Sequence, residues 1–153
     1  RWFCEIAKEV SQDYPGVHFE EFIVDDMAHR LVVKPEELDV LLLPNLYGDI
    51  LSDLGAGTIG GLGLAPSGCY GNDFAYFESA HGTAPDIADM GIINPTATLL
   101  SAAMMLRYLN LAEAANRLET AIAEVYLAGS DLTPDQGGDA DTETFTDAVI
   151  GAL

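Results

Sequence analysis

The chain reads as α/β, and three observations lead there. Val40-Leu41-Leu42-Leu43 is a continuous apolar run between Asp39 and Pro44, the pattern of a strand covered on both faces. Residues 17–24 alternate loosely and are rich in β-branched and aromatic side chains, which predicts another strand. Around these runs lie stretches with helical periodicity, so that strands and helices alternate along the chain.

Taken in order, Trp2, Phe3, Ile6 and Val10 recur at helical spacing, and Tyr14-Pro15-Gly16 ends that helix. The strand at 17–24 leads into a short helix over 26–32, and the buried strand at 40–43 leads into a helix carrying Asp49 and Asp53. Residues 74–77 predict a strand opening onto a loop over 81–94. Asn94 then caps a helix whose first residue is Pro95, where proline costs least. Leu99, Leu100, Met104, Met105 and Leu106 make that helix apolar on nearly every side, so it should lie deep in the core. An amphipathic helix over 111–127, a Pro/Gly/Asp segment at 134–139 and a last helix over 142–153 follow. There is no internal repeat and no low-complexity tract.

Gly55-Ala56-Gly57-Thr58-Ile59-Gly60 matches the GxGxxG dinucleotide fingerprint, which has meaning only when a strand precedes it and a helix opens inside it. Here a helix precedes it and more glycine follows. The acidic residue about 20 positions on could only be Glu78, with no crossover helix before it. Close packing and chain reversal account for these glycines better than a Rossmann site.

A chain of 153 residues is long enough for one domain with a core, or for parts of two. Its 49% hydrophobic content excludes a disordered polymer. A net charge of −19, from 25 acidic and 6 basic residues, argues against nucleic acid or an anionic membrane as partner. The acidity fits adaptation to high salt or an acidic part of a larger assembly, and the scarcity of lysine (Lys8 and Lys34) points to the former. Cys4 and Cys69 form no CxxC pair, so each is expected to be a small, partly buried residue in a reducing compartment. That compartment would be the cytoplasm or, in a eukaryote, the mitochondrial matrix. No signal-peptide pattern is visible, and the most apolar stretch, 96–106, is too short to span a bilayer. The opening Arg1-Trp2-Phe3 reads as a piece cut from something longer.

Chemistry concentrates in two places. Gly48-Asp49-Ile50-Leu51-Ser52-Asp53 sets two carboxylates four positions apart on one helical face, where like charges repel. A divalent cation reverses that balance, since hard cations such as Mg²⁺ take oxygen ligands. Asp25, at the end of the strand expected over 17–24, is a third candidate. The bland reading is that Asp49 caps its helix and Asp53 is merely solvated. In the second place, His81-Gly82-Thr83-Ala84-Pro85-Asp86-Ile87-Ala88, Gly82 admits a close backbone approach, Thr83 offers a hydroxyl and Pro85 stiffens the turn. Asp86 could accept hydrogen bonds from a ribose diol and would repel a 2′-phosphate. The bland reading here is an ordinary loop.

Together these residues resemble the β-decarboxylating dehydrogenases: isocitrate, 3-isopropylmalate, homoisocitrate and tartrate dehydrogenases. The resemblance runs from about Trp2 to Leu153 and is densest at Pro44-Asn45-Leu46-Tyr47-Gly48-Asp49-Ile50-Leu51-Ser52-Asp53, His81 to Ala88, and Asn94-Pro95-Thr96. It implies the family's own two-domain α/β fold, not a Rossmann fold, present here only as its C-terminal portion. Residues 1–59 would belong to the smaller dimerisation and substrate domain, and 60–153 to the larger cofactor-binding domain. It implies a Mg²⁺ or Mn²⁺ site of Asp25, Asp49 and Asp53 in a homodimer, with Asp25 serving the neighbouring protomer. It implies an NAD pocket whose adenosine half is lined by His81, Gly82, Thr83, Ala84, Asp86, Ile87 and Asn94, NADP-dependent members carrying basic residues where Asp86 stands. The family's catalytic Lys and Tyr fall upstream of this region, so the chain alone is expected to be inactive.

Two departures stand out: Asp89-Met90 where relatives usually have Gly-Lys, and Ile93 for a usual Ala. The implied reaction is NAD-dependent oxidative decarboxylation of a 2-hydroxy-3-carboxy acid, with isocitrate ahead of isopropylmalate and homoisocitrate. The competing expectations are a non-catalytic regulatory subunit or structural half of such an enzyme, and an acidic α/β binding protein without chemistry.

Overall fold

The computed structural model describes residues 2–153, and the chain divides into two compact units, Arg1–Thr58 and Ile59–Leu153. In the first unit, helix α1 (Trp2–Ser11) forms on the apolar spacing seen in the sequence, with Glu5 in its first turn and Lys8 in its last, as the helix dipole favours. It buries none of its residues, and Trp2 is 76% exposed. Helix α2 (Val24–Val33) has Asp25 and Asp26 in its first turn, and Arg30 Nε donates to Asp26 Oδ2 at 2.9 Å one turn later. Helix α3 (Asn45–Thr58) begins directly after Pro44 and packs against α2, burying Leu51 and Ala56 on α3 and Met27 on α2.

The strands expected over 17–24 and 40–43 do not form; residues 17–23 and 38–44 run irregularly, without a ladder partner among the described residues. The apolar composition is there, but a strand needs a neighbour to satisfy its amides and carbonyls, and these runs have none among the described residues. Nor is 40–43 covered on both faces: Val40 is 84% and Leu42 65% exposed. Asp25 consequently belongs to the first turn of α2 rather than to a strand end.

The second unit opens with a reversal at Gly60 and Gly61, both at φ +119°, a region that glycine alone adopts without strain. Gly55 and Gly57, the start of the GxGxxG match, lie inside α3, with no strand before them. An antiparallel ribbon follows, β1 (Pro66–Tyr70) against β2 (Ala75–Ser79), with Gly68 opposite Phe77 and Cys69 opposite Tyr76. The expected strand at 74–77 is thus β2, shifted towards the C-terminus by one residue at its start, while β1 has too little apolar alternation to announce itself.

The ribbon sits on α4 (Thr96–Tyr108) through Ser101, a buried hydroxyl on a helix that reads as apolar all round. Ser101 Oγ accepts from the Ser67 N–H at 3.2 Å and lies 2.7 Å from the Glu78 carbonyl, tying down both strands. As expected, α4 is central: Ala97 and Ala103 are fully buried, though Met105 and Tyr108 surface at its C-terminal end. Helices α5 (Ala112–Ala128) and α6 (Thr142–Ala152) complete a core of Ala121, Ile122, Val125, Phe145 and Val149, flanked by Leu99 and Leu100 of α4. Asp141 caps α6, accepting the Thr144 N–H at 2.7 Å. The hydrogen bond from Thr144 holds the Asp141 carboxyl below the usual aspartate range.

Between α5 and α6, a 3₁₀ turn (Pro134–Gln136) brings the backbone so close that a Cβ on Gly138 would stand 1.9 Å from the Leu132 carbonyl oxygen. Cys4 is half-buried as expected, but Cys69 is exposed on β1. No helix among the described residues is long and apolar enough to cross a membrane.

Candidate functional site

The first set of candidate residues stands on the N-terminal unit. Asp49 is the fifth residue of α3, one turn past the Asn45 start. A cap must serve the orphan amides of the first turn, so the capping reading of Asp49 fails. Asp49 and Asp53 are both exposed, one turn apart, and neither makes an ion pair with any described residue. Two uncompensated carboxylates in that relation cost the helix stability and give it nothing in return.

Asp25 is also exposed; its Oδ1 accepts the Asp26 N–H at 2.9 Å. No three metal-ligating side chains come together among the described residues, so Asp25 does not join Asp49 and Asp53 within one chain. The donor set itself, all carboxylate oxygen with no sulfur or imidazole, suits Mg²⁺ or Mn²⁺. A complete site on α3 must draw a further ligand from outside this pair.

The second set stands on the C-terminal unit, in the loop between β2 and α4. His81 is half-buried with Nδ1 3.1 Å from the Gly82 carbonyl, and Gly82, Thr83, Ala84 and Asp86 are exposed. A single 3₁₀ turn (Pro85–Ile87) follows, closed by the Ile87 N–H donating to the Ala84 carbonyl at 3.1 Å. Proline at the first position of that turn fixes φ where its missing N–H costs nothing, and Asp86 stands beside it, open to solvent.

Beyond the turn, Asp89 adopts φ +62°, left-handed backbone that glycine takes freely and aspartate tolerates better than most residues. Glycine would hold that conformation at less cost, and Met90 beside it is 58% exposed. Thr142 at the start of α6 ties this segment down: its N–H donates to the Gly91 carbonyl at 2.7 Å and its Oγ1 to the Ile93 carbonyl at 2.5 Å.

Asn94 differs from its companions, being only 3% exposed. Its Oδ1 accepts the Thr96 N–H at 3.0 Å, but α4 begins one residue later than expected, so Pro95 rather than Asn94 takes the N-cap position and accepts the first helical bond from Leu99. Its Nδ2 donates to the Tyr126 hydroxyl at 3.1 Å and to Asp135 Oδ2 at 3.0 Å. Neither Tyr126 nor Asp135 carries a sequence signal for this role, since they lie 32 and 41 positions away on other elements. Partial burial pushes the Asp135 carboxyl up, but hydrogen bonds from Thr133, Gln136, Asn94 and the backbone outweigh it and hold the group below the usual aspartate range.

Residues 1–149 match the family model for isocitrate/isopropylmalate dehydrogenase. The isocitrate/homoisocitrate dehydrogenase of Thermus thermophilus is 56% identical over 151 residues, covering 99% of this chain and 45% of that protein. A mitochondrial NAD isocitrate dehydrogenase regulatory subunit of Dictyostelium discoideum is 47% identical over 149 residues, 97% of this chain and 42% of that protein. Among solved structures, isocitrate dehydrogenase from Methylococcus capsulatus superimposes with a TM-score of 0.93 at 45% identity, covering 98% of this chain and 45% of that one. The fold is that of a β-decarboxylating dehydrogenase, and the chain belongs to the isocitrate/isopropylmalate dehydrogenase family. It spans a little under half the length of the relatives it matches.

Proposed function

We propose that the chain serves NAD- and divalent-metal-dependent oxidative decarboxylation of a 2-hydroxy-3-carboxy acid, with isocitrate favoured over isopropylmalate or homoisocitrate. The observation that carries this reading is the pair Asp49 and Asp53, exposed one turn apart on α3 and without a cationic partner among the described residues. On this reading residues 1–59 belong to the dimerisation domain and 60–153 to the cofactor domain, and Asp25 completes the metal site of a second copy.

A divalent metal held by these carboxylates would supply Lewis acidity towards the substrate hydroxyl, and NAD would supply the hydride acceptor. The protein residues supply binding and orientation. Asp49 and Asp53 hold two coordination positions from one rigid helix, which fixes their spacing. His81, Gly82, Thr83, Ala84 and Ile87 form the loop against which adenosine rests. Asp86 accepts from the ribose hydroxyls, and its charge disfavours a 2′-phosphate. Proton transfer belongs to a Lys and a Tyr outside residues 1–153, so these residues alone turn over no substrate.

Thermal unfolding followed while Mn²⁺ or Mg²⁺ is titrated tests the reading, because a ligand that binds only the native state raises Tm with its concentration. A rise that Asp49→Asn removes supports it; no rise at millimolar metal overturns it. A second reading, a non-catalytic regulatory subunit, is favoured by the likeness to the Dictyostelium regulatory protein. In that case NAD or metal binding is lost while association with a catalytic partner persists.

A further inference from the structure

Asn94 is held from three sides, and two of its partners belong to elements that the dehydrogenase reading leaves without a task. With both Nδ2 hydrogens donated and Oδ1 engaged by Thr96, the side chain turns inward. Asn94 is only 3% exposed, so its position, and that of the chain on either side of it, follows from whatever anchors the side chain.

Asp135 is that anchor. Its Oδ1 accepts from the Thr133 hydroxyl at 2.6 Å, and its Oδ2 accepts from Asn94 Nδ2 and Gln136 Nε2 at 3.0 Å each. These neighbours all donate, and an ionised carboxylate accepts at both oxygens. Gln136 Nε2 also lies 3.0 Å from the Gly60 carbonyl, and a Cβ on Gly63 would stand 3.1 Å from Asp135 Oδ2 and 3.2 Å from Asn94 Cβ. The turn at 60–63, the turn at 133–136 and the start of α4 therefore converge on one carboxylate.

The geometry points to Asp135 as a positioning residue for the adenosine half of the cofactor site, acting through Asn94. This rests on the NAD reading above. In the full-length protein, Asp135→Ala weakens both NAD and AMP, measured by calorimetry, on the order of tenfold, the worth of a charge-assisted hydrogen bond. KM for NAD rises in proportion, while Mn²⁺ affinity and KM for the hydroxy acid stay at their wild-type values. Asp135→Asn recovers most of the affinity, since its Oδ1 still accepts from Asn94 while its amide faces the Thr133 hydroxyl.

Wild-type NAD and AMP affinity in folded Asp135→Ala overturns the role, as does an equal loss of Mn²⁺ affinity, which marks general loosening. Should Asp135→Ala not fold, Asp135→Glu keeps the charge one methylene further out, and unchanged NAD affinity there overturns the role equally. If the wild-type protein binds Mn²⁺ but no NAD, the cofactor reading falls and takes the role with it. Wild-type binding with unaffected variants removes the role alone.

Discussion

The two units of this chain are built to different standards of closure. In Ile59–Leu153 the core closes on itself: Phe145, Ala97, Ala103 and Ala115 are fully buried, and Thr96 and Ser101 find hydrogen-bond partners within the same unit. In Arg1–Thr58 only Met27, Leu51 and Ala56 are buried among the described apolar residues, while Trp2, Val40, Leu42, Leu46 and Ile50 lie largely in the open. The apolar stripe of α1 is only partly covered, with Trp2 76% and Val10 50% exposed, and two apolar runs have no ladder partner among the described residues. The candidate metal carboxylates stand on the open unit and the candidate cofactor loop on the closed one. An apolar sequence pattern promises burial, but burial happens only where the chain also supplies the opposing surface.

The sharpest way to break this contrast is to truncate one large side chain in each unit. Phe145→Ala should cost about 3–5 kcal/mol in urea unfolding of the 153-residue chain, whereas Trp2→Ala should stay within about 0.5 kcal/mol. Equal losses would mean that the face of α1 is covered after all.

Next in size is the chemistry of the open unit. On the proposed metal reading, Asp49→Asn in the full-length protein should lower kcat by more than about a hundredfold while leaving Tm nearly unchanged, because Asp49 is exposed and its loss removes no buried contact. A large Tm drop with activity preserved would return Asp49 to a structural role.

On the closed unit, Asp86→Lys should shift the ratio of kcat/KM for NAD over NADP by about tenfold or more towards NADP, a repulsion turned into an attraction. Initial rates with the two cofactors decide it, and an unmoved ratio would take Asp86 out of the ribose site.

A smaller effect follows from Asp135. Its native carboxyl titrates below the unfolded value, so folding favours the ionised form. The stabilisation is therefore complete above the unfolded value, near pH ~4, and is lost as the pH falls through the lower native value. Asp135→Asn should flatten the acid limb of stability against pH in that window alone, with no change in slope near neutrality.

Smallest of all, Asp89→Gly should stabilise the chain by less than about 1 kcal/mol by removing the cost of a left-handed backbone, read as a slight rise in Tm. A loss instead would show that the Asp89 side chain makes an interaction worth more than that strain.

How much can be read in advance varies with how local its cause is. Helices α1, α2, α5 and α6 are legible because periodicity, first-turn acids and stop signals act over a few neighbouring residues. The carboxylate pair of α3 and the stiff turn at Pro85 are legible for the same reason, their spacing being a property of one element. The expected strands at 17–24 and 40–43 fail because a strand is a relation between segments, and side-chain composition names only one of the two. Ser101, Tyr126 and Asp135 give no sign at all. Each is an ordinary polar residue in sequence, and each matters only because of a partner 23 to 41 positions away.

By itself, then, the order of amino acids determined the helices, the reversal at Gly60-Gly61, the acidic pair on one helical face and the family to which the chain belongs. Those rest on short-range sterics and on motifs long enough to be specific. The tertiary structure alone decided which apolar faces are covered, which polar side chains anchor Asn94, and that Asp25 stands apart from Asp49 and Asp53 within one chain. Burial and hydrogen-bond satisfaction depend on what the rest of the fold brings alongside, and no local pattern encodes that.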